Sequence, residues 1–382
     1  MHCHKGEGIR LGGELMAKGE QEFPNEEGSR SSVRLMRRLV YCLLLFVVVA
    51  RGPAIGQDSR PVLPFAGTDA VSILNDNGTT DRLTGTIENI AGETLRIRRS
   101  GRGNIQVLHM SDVAELSFHR SAAWDSGLNL WQAGEFKKAF AALSQALRQE
   151  DRDWAWCELQ ANIAKLLVRM GDRDAAVDRI EQILQKDDRS RHVCLLPLVW
   201  DESLLADERV NASPEDLGNP LPARRLVAAS ALLHNTVHRP AAAAVLHRIR
   251  QQQGLDRLGE LAGAQLWRLP MLDKPDSRNP LAQVWSDQVR EMPVECRNGP
   301  QYVVARILQR QHQYDKAALG FLWTSLMNPI DEALAAKSLV AAIDCLQQAG
   351  RPNEAHVMSA ELKLRFPKAS ATREFQSRAT NE

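Results

Sequence analysis

The chain reads as a mainly α protein. A solenoid of helical hairpins covers 121–367, and a small antiparallel β-barrel domain precedes it over 67–120. Three observations predict this. From Ala122 onward, apolar residues recur at about every third or fourth position, the period of an amphipathic helix. Several helix pairs share one register of turn glycine, small residue and leucine. Between Val71 and Phe118 the apolar residues alternate instead, and Gly and Asn punctuate the runs, as in short antiparallel strands.

The N-terminal elements come first. Residues 1–35 are polar, rich in Gly and Glu and without periodicity, and read as a non-native or disordered extension. Met36-Arg-Arg38 is a basic stretch, and Leu39–Ala50 is an apolar run of 12 residues. A membrane-spanning helix needs about 20, so the run fits a secretory signal peptide over 36–56, cleaved near Gly56 after the small residues Ala54 and Gly56. Met36 then reads as the natural start. The rival reading is a cytoplasmic tail on a signal anchor. Cys42 does not read as a lipoprotein cysteine, because almost no apolar residue precedes it. Residues 57–66 are Pro-rich and read as a linker.

Removal of 1–56 leaves 40 Lys/Arg against 41 Asp/Glu. So even a balance suggests neither nucleic acid nor an anionic membrane as partner, and the mature chain has no membrane span. Its localisation is expected to be exported, in the periplasm or cell envelope.

In the β region, the alternating sets are Val71 and Ile73; Leu83, Gly85 and Ile87; Leu95 and Ile97; Ile105 and Val107; and Val113, Leu116 and Phe118. Asn75–Gly78, Ala91-Gly92 and Ser100–Gly103 supply the turns. About five strands in some 50 residues predict a small curled barrel that resembles SH3-like or Sm-like folds.

The helical part repeats. With the turn residues Gly134, Gly171, His312 and Gly350 in register, Ala139, Ala176, Ala317 and Ala355 follow five positions later. Gly127, Ala164, Ala305 and Ile343 stand seven before the turn, and Leu130, Leu167, Leu308 and Leu346 four before it. Small residues let helix axes approach to roughly 8–10 Å, and a turn Gly suits a left-handed C-cap. Pro329 and Pro367 close the last two units, since Pro cannot continue a helix. This pattern resembles the tetratricopeptide repeat (TPR), a helix–turn–helix unit of about 34 residues. Ala139, Phe136 and Ala146 fit its second helix in the first copy; Tyr314, Ala317, Phe321 and Pro329 fit a later one; Ala355 and Pro367 fit the last. The spacings of 37 and 38 between turns exceed the family period. A degenerate copy spans 226–250, with its turn near Arg239-Pro240. Ile343 replaces the small residue, which predicts a wider crossing.

Insertions near 191–222 and 269–280 interrupt the array and read as the source of its specificity. Trp154 and Trp156 cannot share a helix face, so one is expected to be partly exposed. Leu255–Arg268 and Leu281–Glu291 read as helices, separated by Pro270, Pro275 and Pro280. Residues 368–382 read as a frayed polar tail.

Candidate chemistry is sparse. His234 and His238 would share one face of a helix, but Asn235 replaces the Glu of the zinc-protease motif, and His247 would need a chain reversal to join them. They read as surface histidines. Asn75–Asp81 faintly resembles a calcium loop, lacks its closing Glu, and reads as a type I′ hairpin turn. Arg96, Arg98, Arg99 and Arg102 form a basic cluster, read as charges guarding a sheet edge or as a site for an acidic partner. Asp172 and Asp174 serve helix N-termini. No P-loop, nucleophile elbow or dinucleotide fingerprint occurs. Cys157, Cys194, Cys296 and Cys345 read as buried small residues, although export would permit disulfides among them.

No catalytic, cofactor-binding or metal residue is therefore assigned, and no cofactor is expected. The resemblance to TPR proteins implies a scaffold that binds a protein or peptide partner. Alternatives are a self-assembling envelope protein, or an enzyme with a site at the domain junction near His109, Asp112 and His119.

Overall fold

The computed structural model describes residues 68–75, 78–101, 103–204, 212–273, 281–327 and 331–379. The extension over 1–35, the signal peptide over 36–56 and the linker over 57–66 lie outside the described residues, as do Arg102, Pro275, Pro280 and Pro329. The described residues belong to one compact unit, Ser59–Glu382. It is mainly helical, with a five-stranded antiparallel sheet before the helices.

Strands β1 (Asp69–Leu74), β2 (Thr80–Ala91), β3 (Thr94–Arg99), β4 (Ile105–His109) and β5 (Val113–Ser117) pair in the order β4-β3-β2-β1-β5. Alternation drives the sheet: Ile87, Leu95, Ile97 and Leu108 are buried between more exposed neighbours, and Val71 is buried together with Ala70. At the first turn Asn75 N–H donates to Thr79 O (2.8 Å), and Gly78 takes φ 81°. Gly85 is required at its position, because a Cβ there would overlap the carbonyl of Arg98 on β3. The register of β2 against β3 shifts between Ile87 and Asn89, which bends the long strand. Strand β3 is internal, so its arginines do not guard an edge, contrary to the sequence expectation. Arg98 pairs with Glu88 of β2.

The sheet is joined to the helices by aromatic packing. Phe118 stands edge-on to Trp124 (ring centroids 5.4 Å apart) and to Trp154 (5.0 Å). Arg152 donates to the carbonyl of His119 (2.8 Å) and lies over Phe118 and Trp154.

Eight helices form the four hairpins that share a register. These are α1 (Ala122–Gln132) with α2 (Phe136–Gln149), and α3 (Asp153–Met170) with α4 (Arg173–Lys186). Between them and the C-terminal pairs lie α5 (Pro222–Leu232), α6 (Arg239–Gln251), α7 (Asp256–Leu266), α8 (Leu269–Asp273) and α9 (Ala282–Glu291). The C-terminal pairs are α10 (Asn298–Arg310) with α11 (Tyr314–Met327), and α12 (Glu332–Gln348) with α13 (Pro352–Arg365). Every one of the four turns ends its first helix in the same way. Glu135, Asp172, Gln313 and Arg351 donate their N–H to Leu130, Leu167, Leu308 and Leu346 O at 2.9–3.0 Å, and Gly134, Gly171, His312 and Gly350 donate to the carbonyl three residues back. This is the Schellman motif, which needs a left-handed residue at the turn. Among the described residues, His312 (φ 59°) is the one non-glycine with positive φ. The aligned alanines Ala139, Ala176, Ala317 and Ala355 are all buried. At Gly127 a Cβ would come within 2.6 Å of Leu143 on the paired helix, so the small residue marks a close crossing.

Four expectations need correction or refinement. His234 and His238 do not share a helix face: α5 ends at Leu232 and α6 starts at Arg239, so both lie in the connecting turn. There the Asn235 side chain accepts from Val237 N–H (2.9 Å) and stabilises the turn instead of a helix. The tail is not frayed throughout. Ser370–Ala379 forms α14, which packs on α12, with Thr372 buried and donating to Phe366 O (2.7 Å). Trp154 is buried and Trp156 partly exposed under Lys186. The largest correction concerns the insertion after α4, which is internal over 191–204.

Candidate functional site

Segment 187–204 is too apolar to remain on the surface. Val193, Leu196, Leu198, Val199, Trp200 and Leu204 are all buried. Its first part, Arg191–Leu195, is a short 3-10 turn that packs against α3, α4, α7 and the turn Val294–Cys296. Trp200 lies against Gly299 at the start of α10, where any Cβ would overlap the indole. A buried backbone must satisfy its polar groups, and the side chains of Arg173, Ser230 and Arg268 bond the backbone of Pro197 and Val199.

On α3, Glu158 accepts from Arg191 Nη2 (2.7 Å) and lies 3.0 Å from His192 Nε2. Burial pushes the Glu158 carboxyl up, but the charges of His192 and Arg191 outweigh it and hold the group well below the usual carboxylate range. Two turns further along α3, burial pulls the Lys165 ammonium down from its ordinary value. At the far end of α3, Arg169 pairs with Glu332 of α12, joining the second hairpin to the last.

The middle of the segment meets the fully buried Arg268. Its Nη1 donates to Val199 O (2.7 Å), Ser230 O (2.9 Å) and Gln265 Oε1 (2.7 Å). Ser230 Oγ in turn accepts from Val199 N–H (2.7 Å). Beyond it, the buried Tyr302 hydroxyl on α10 donates to Asp201. Burial pushes the Asp201 carboxyl up. Hydrogen bonds from Ser203 and Tyr302, with the charge of Arg306, outweigh it and leave the group below its ordinary value. Burial and the facing Asp201 charge push the Tyr302 phenol well above its own.

Cys194 and Cys296 form a disulfide across 102 residues, with Cα atoms 4.8 Å apart. It was not assigned from the sequence, since four cysteines allow three pairings. Cys157 and Cys345 are buried free thiols, as expected of small core residues, and burial pushes both up to about 11. Beside the disulfide is a cavity of about 60 Å³, with Trp200, Glu295, Asn298, Thr324 and Asp331 in its wall. That is room for a few waters, each occupying about 30 Å³ in the liquid, and too little for a peptide or cofactor.

The interior is therefore a cross-linked polar seam that holds the segment in place. His109 Nδ1, Ser111 Oγ and Asp112 form an exposed local cap of neighbouring residues, and the backbone of His119 bonds Asp69 and Arg152. Among the described residues no cluster of three metal-ligating side chains occurs, and no helix is long and apolar enough to cross a membrane. The exposed apolar residues lie elsewhere, including Ile105 and Val107 on β4, Leu319 on α11, and Val357 and Leu364 on α13. No protein-family model, no curated protein and no solved structure matches the chain.

Proposed function

We propose that this protein is an exported interaction scaffold, a TPR-like hairpin array that binds a protein or peptide partner through its helical surface. The observation that carries the reading is the four identical turns in one register, each with a buried Ala and a capped Leu carbonyl. Stacked hairpins of that kind build extended surfaces suited to binding. The strand order β4-β3-β2-β1-β5 with a bent β2 supports an SH3- or Sm-like barrel before them. Export is supported by the apolar run Leu39–Ala50 and by the Cys194–Cys296 pair, since disulfides persist in oxidising compartments.

Segment 187–204 packs along α3, α7 and α10, so the partner is assigned to the outer faces of the C-terminal hairpins. Val357 and Leu364, two turns apart on α13, are about half exposed and form an apolar stripe. The test is capture from an envelope fraction with the wild-type chain and with a Val357→Asp/Leu364→Asp variant. A partner recovered by the first and lost by the second supports the reading. Recovery by both, or by neither, counts against it.

A further inference from the structure

The sheet has two edges, and they differ. At β5 the register against β1 shifts between Ser72 and Ile73, and Glu115 lies on the strand. A bulge and a charge are two ways in which an edge is kept from pairing with other chains. At β4 the register against β3 is regular from Ile105 to His109. The strand reads Ile-Gln-Val-Leu-His, without Pro, Lys or bulge, and with Val107 60% exposed.

The hydrogen-bond phase shows which groups face outward. Arg99 N–H donates to Asn104 O (3.0 Å), and Met110 N–H donates to Glu93 O (2.8 Å). In an antiparallel ladder the residues that bond inward alternate. Residues 104, 106, 108 and 110 therefore face β3, and Ile105, Val107 and His109 direct their N–H and C=O away from it. Among the described residues no strand pairs with that side.

Two of the three side chains beside this edge are basic. Arg98, Arg96 and Thr94 stand opposite Ile105, Val107 and His109 on the same exposed face. Arg98 is paired with Glu88, while Arg96 has no carboxylate partner among the described residues.

We infer that β4 is a docking edge for an extended, acidic segment of a partner protein, which adds to the sheet as a sixth strand. The partner's backbone bonds Ile105, Val107 and His109. Its alternate side chains cover Val107, and a carboxylate among them meets Arg96. Strand addition of this type takes affinity from the backbone and specificity from alternate side chains. The site is separate from the helical surface proposed above and stands if that proposal fails.

The experiment uses the full chain and two capped six-residue peptides, one alternating Val and Glu and one alternating Val and Lys. Amide exchange at Ile105 and Val107 is expected to be fast in the free chain and at least tenfold slower with the Val/Glu peptide. Val107→Lys is expected to weaken binding by tenfold or more, and Arg96→Glu to shift preference toward the Val/Lys peptide. Both positions are exposed, so both variants keep the fold, which circular dichroism checks. The inference is overturned by protection at Val107 without peptide, by equal binding of both peptides, or by no binding at millimolar concentration. It is equally overturned by concentration-dependent self-association that Val107→Lys abolishes, since the occupant would then be a second copy.

Discussion

Trp200 lies directly against the Cα of Gly299, which places an indole from an interloop segment where α10 begins. No side chain fits between them. The contact is one reason the segment 187–204 is core and not surface. Gly299→Ala is expected to force the indole or the helix to move, at a cost of about 1–3 kcal/mol for overpacking. Gly218, which has open space around its Cα, serves as the control. Urea unfolding of the two alanine variants checks this; equal midpoints would show that Trp200 can shift freely.

His312 occupies the left-handed cap position that Gly takes in the other three aligned turns. A residue with Cβ pays roughly 1–2 kcal/mol there. The His312 Nδ1 contact with Tyr314 Oη (2.7 Å) offsets part of it. His312→Gly is expected to raise stability by less than that, and Gly350→Ala, with no such contact to offset it, to lower it by about 1–2 kcal/mol. Thermal unfolding of both variants reads the two signs.

The disulfide closes a loop of about a hundred residues, for which the chain-entropy estimate is about 4–5 kcal/mol. Reduction, or a Cys194→Ala/Cys296→Ala variant, is expected to lower the unfolding midpoint markedly. Alkylation at pH 8 followed by mass spectrometry gives a second check. Cys157 and Cys345, at about 11, should stay unlabelled in the folded chain, and Cys194 and Cys296 should label only after reduction.

Glu158 links α3 to the segment and makes stability depend on acid. Its folded value is depressed, so the carboxylate contributes stability that is present above its unfolded value, about 4.3, and is lost as pH falls toward the folded value. Glu158→Gln leaves the partly buried Arg191 guanidinium without its counter-charge and is expected to cost about 3 kcal/mol at pH 7. Urea titrations from pH 7 to pH 3 should show the gap between wild type and variant closing below about pH 4. A gap that does not narrow at all between about pH 5 and pH 3 would show that the ion pairs are not its source.

Local chemistry was enough to establish the repeated elements. Gly134, Gly171 and Gly350 mark left-handed caps because glycine lacks the Cβ that opposes positive φ, and His312 occupies the same register position. The alternation from Val71 to Phe118 likewise carries the strands, since side chains on a strand point to opposite faces in turn. What the sequence did not show is where the irregular segments go. Val193–Leu204 has neither helical nor strand period, so nothing local distinguishes a surface loop from a buried one. The choice is made by partners far away in sequence: Glu158, Ser230, Arg268, Gly299 and Tyr302. The spacing of His234 and His238 fits a helix, but the Asn235 turn that separates the helices overrides it. The pairing of Cys194 with Cys296 and the open edge at β4 are also tertiary facts. Spacing along the chain does not say which residues meet across 102 positions, or which strand is left with an unpaired side.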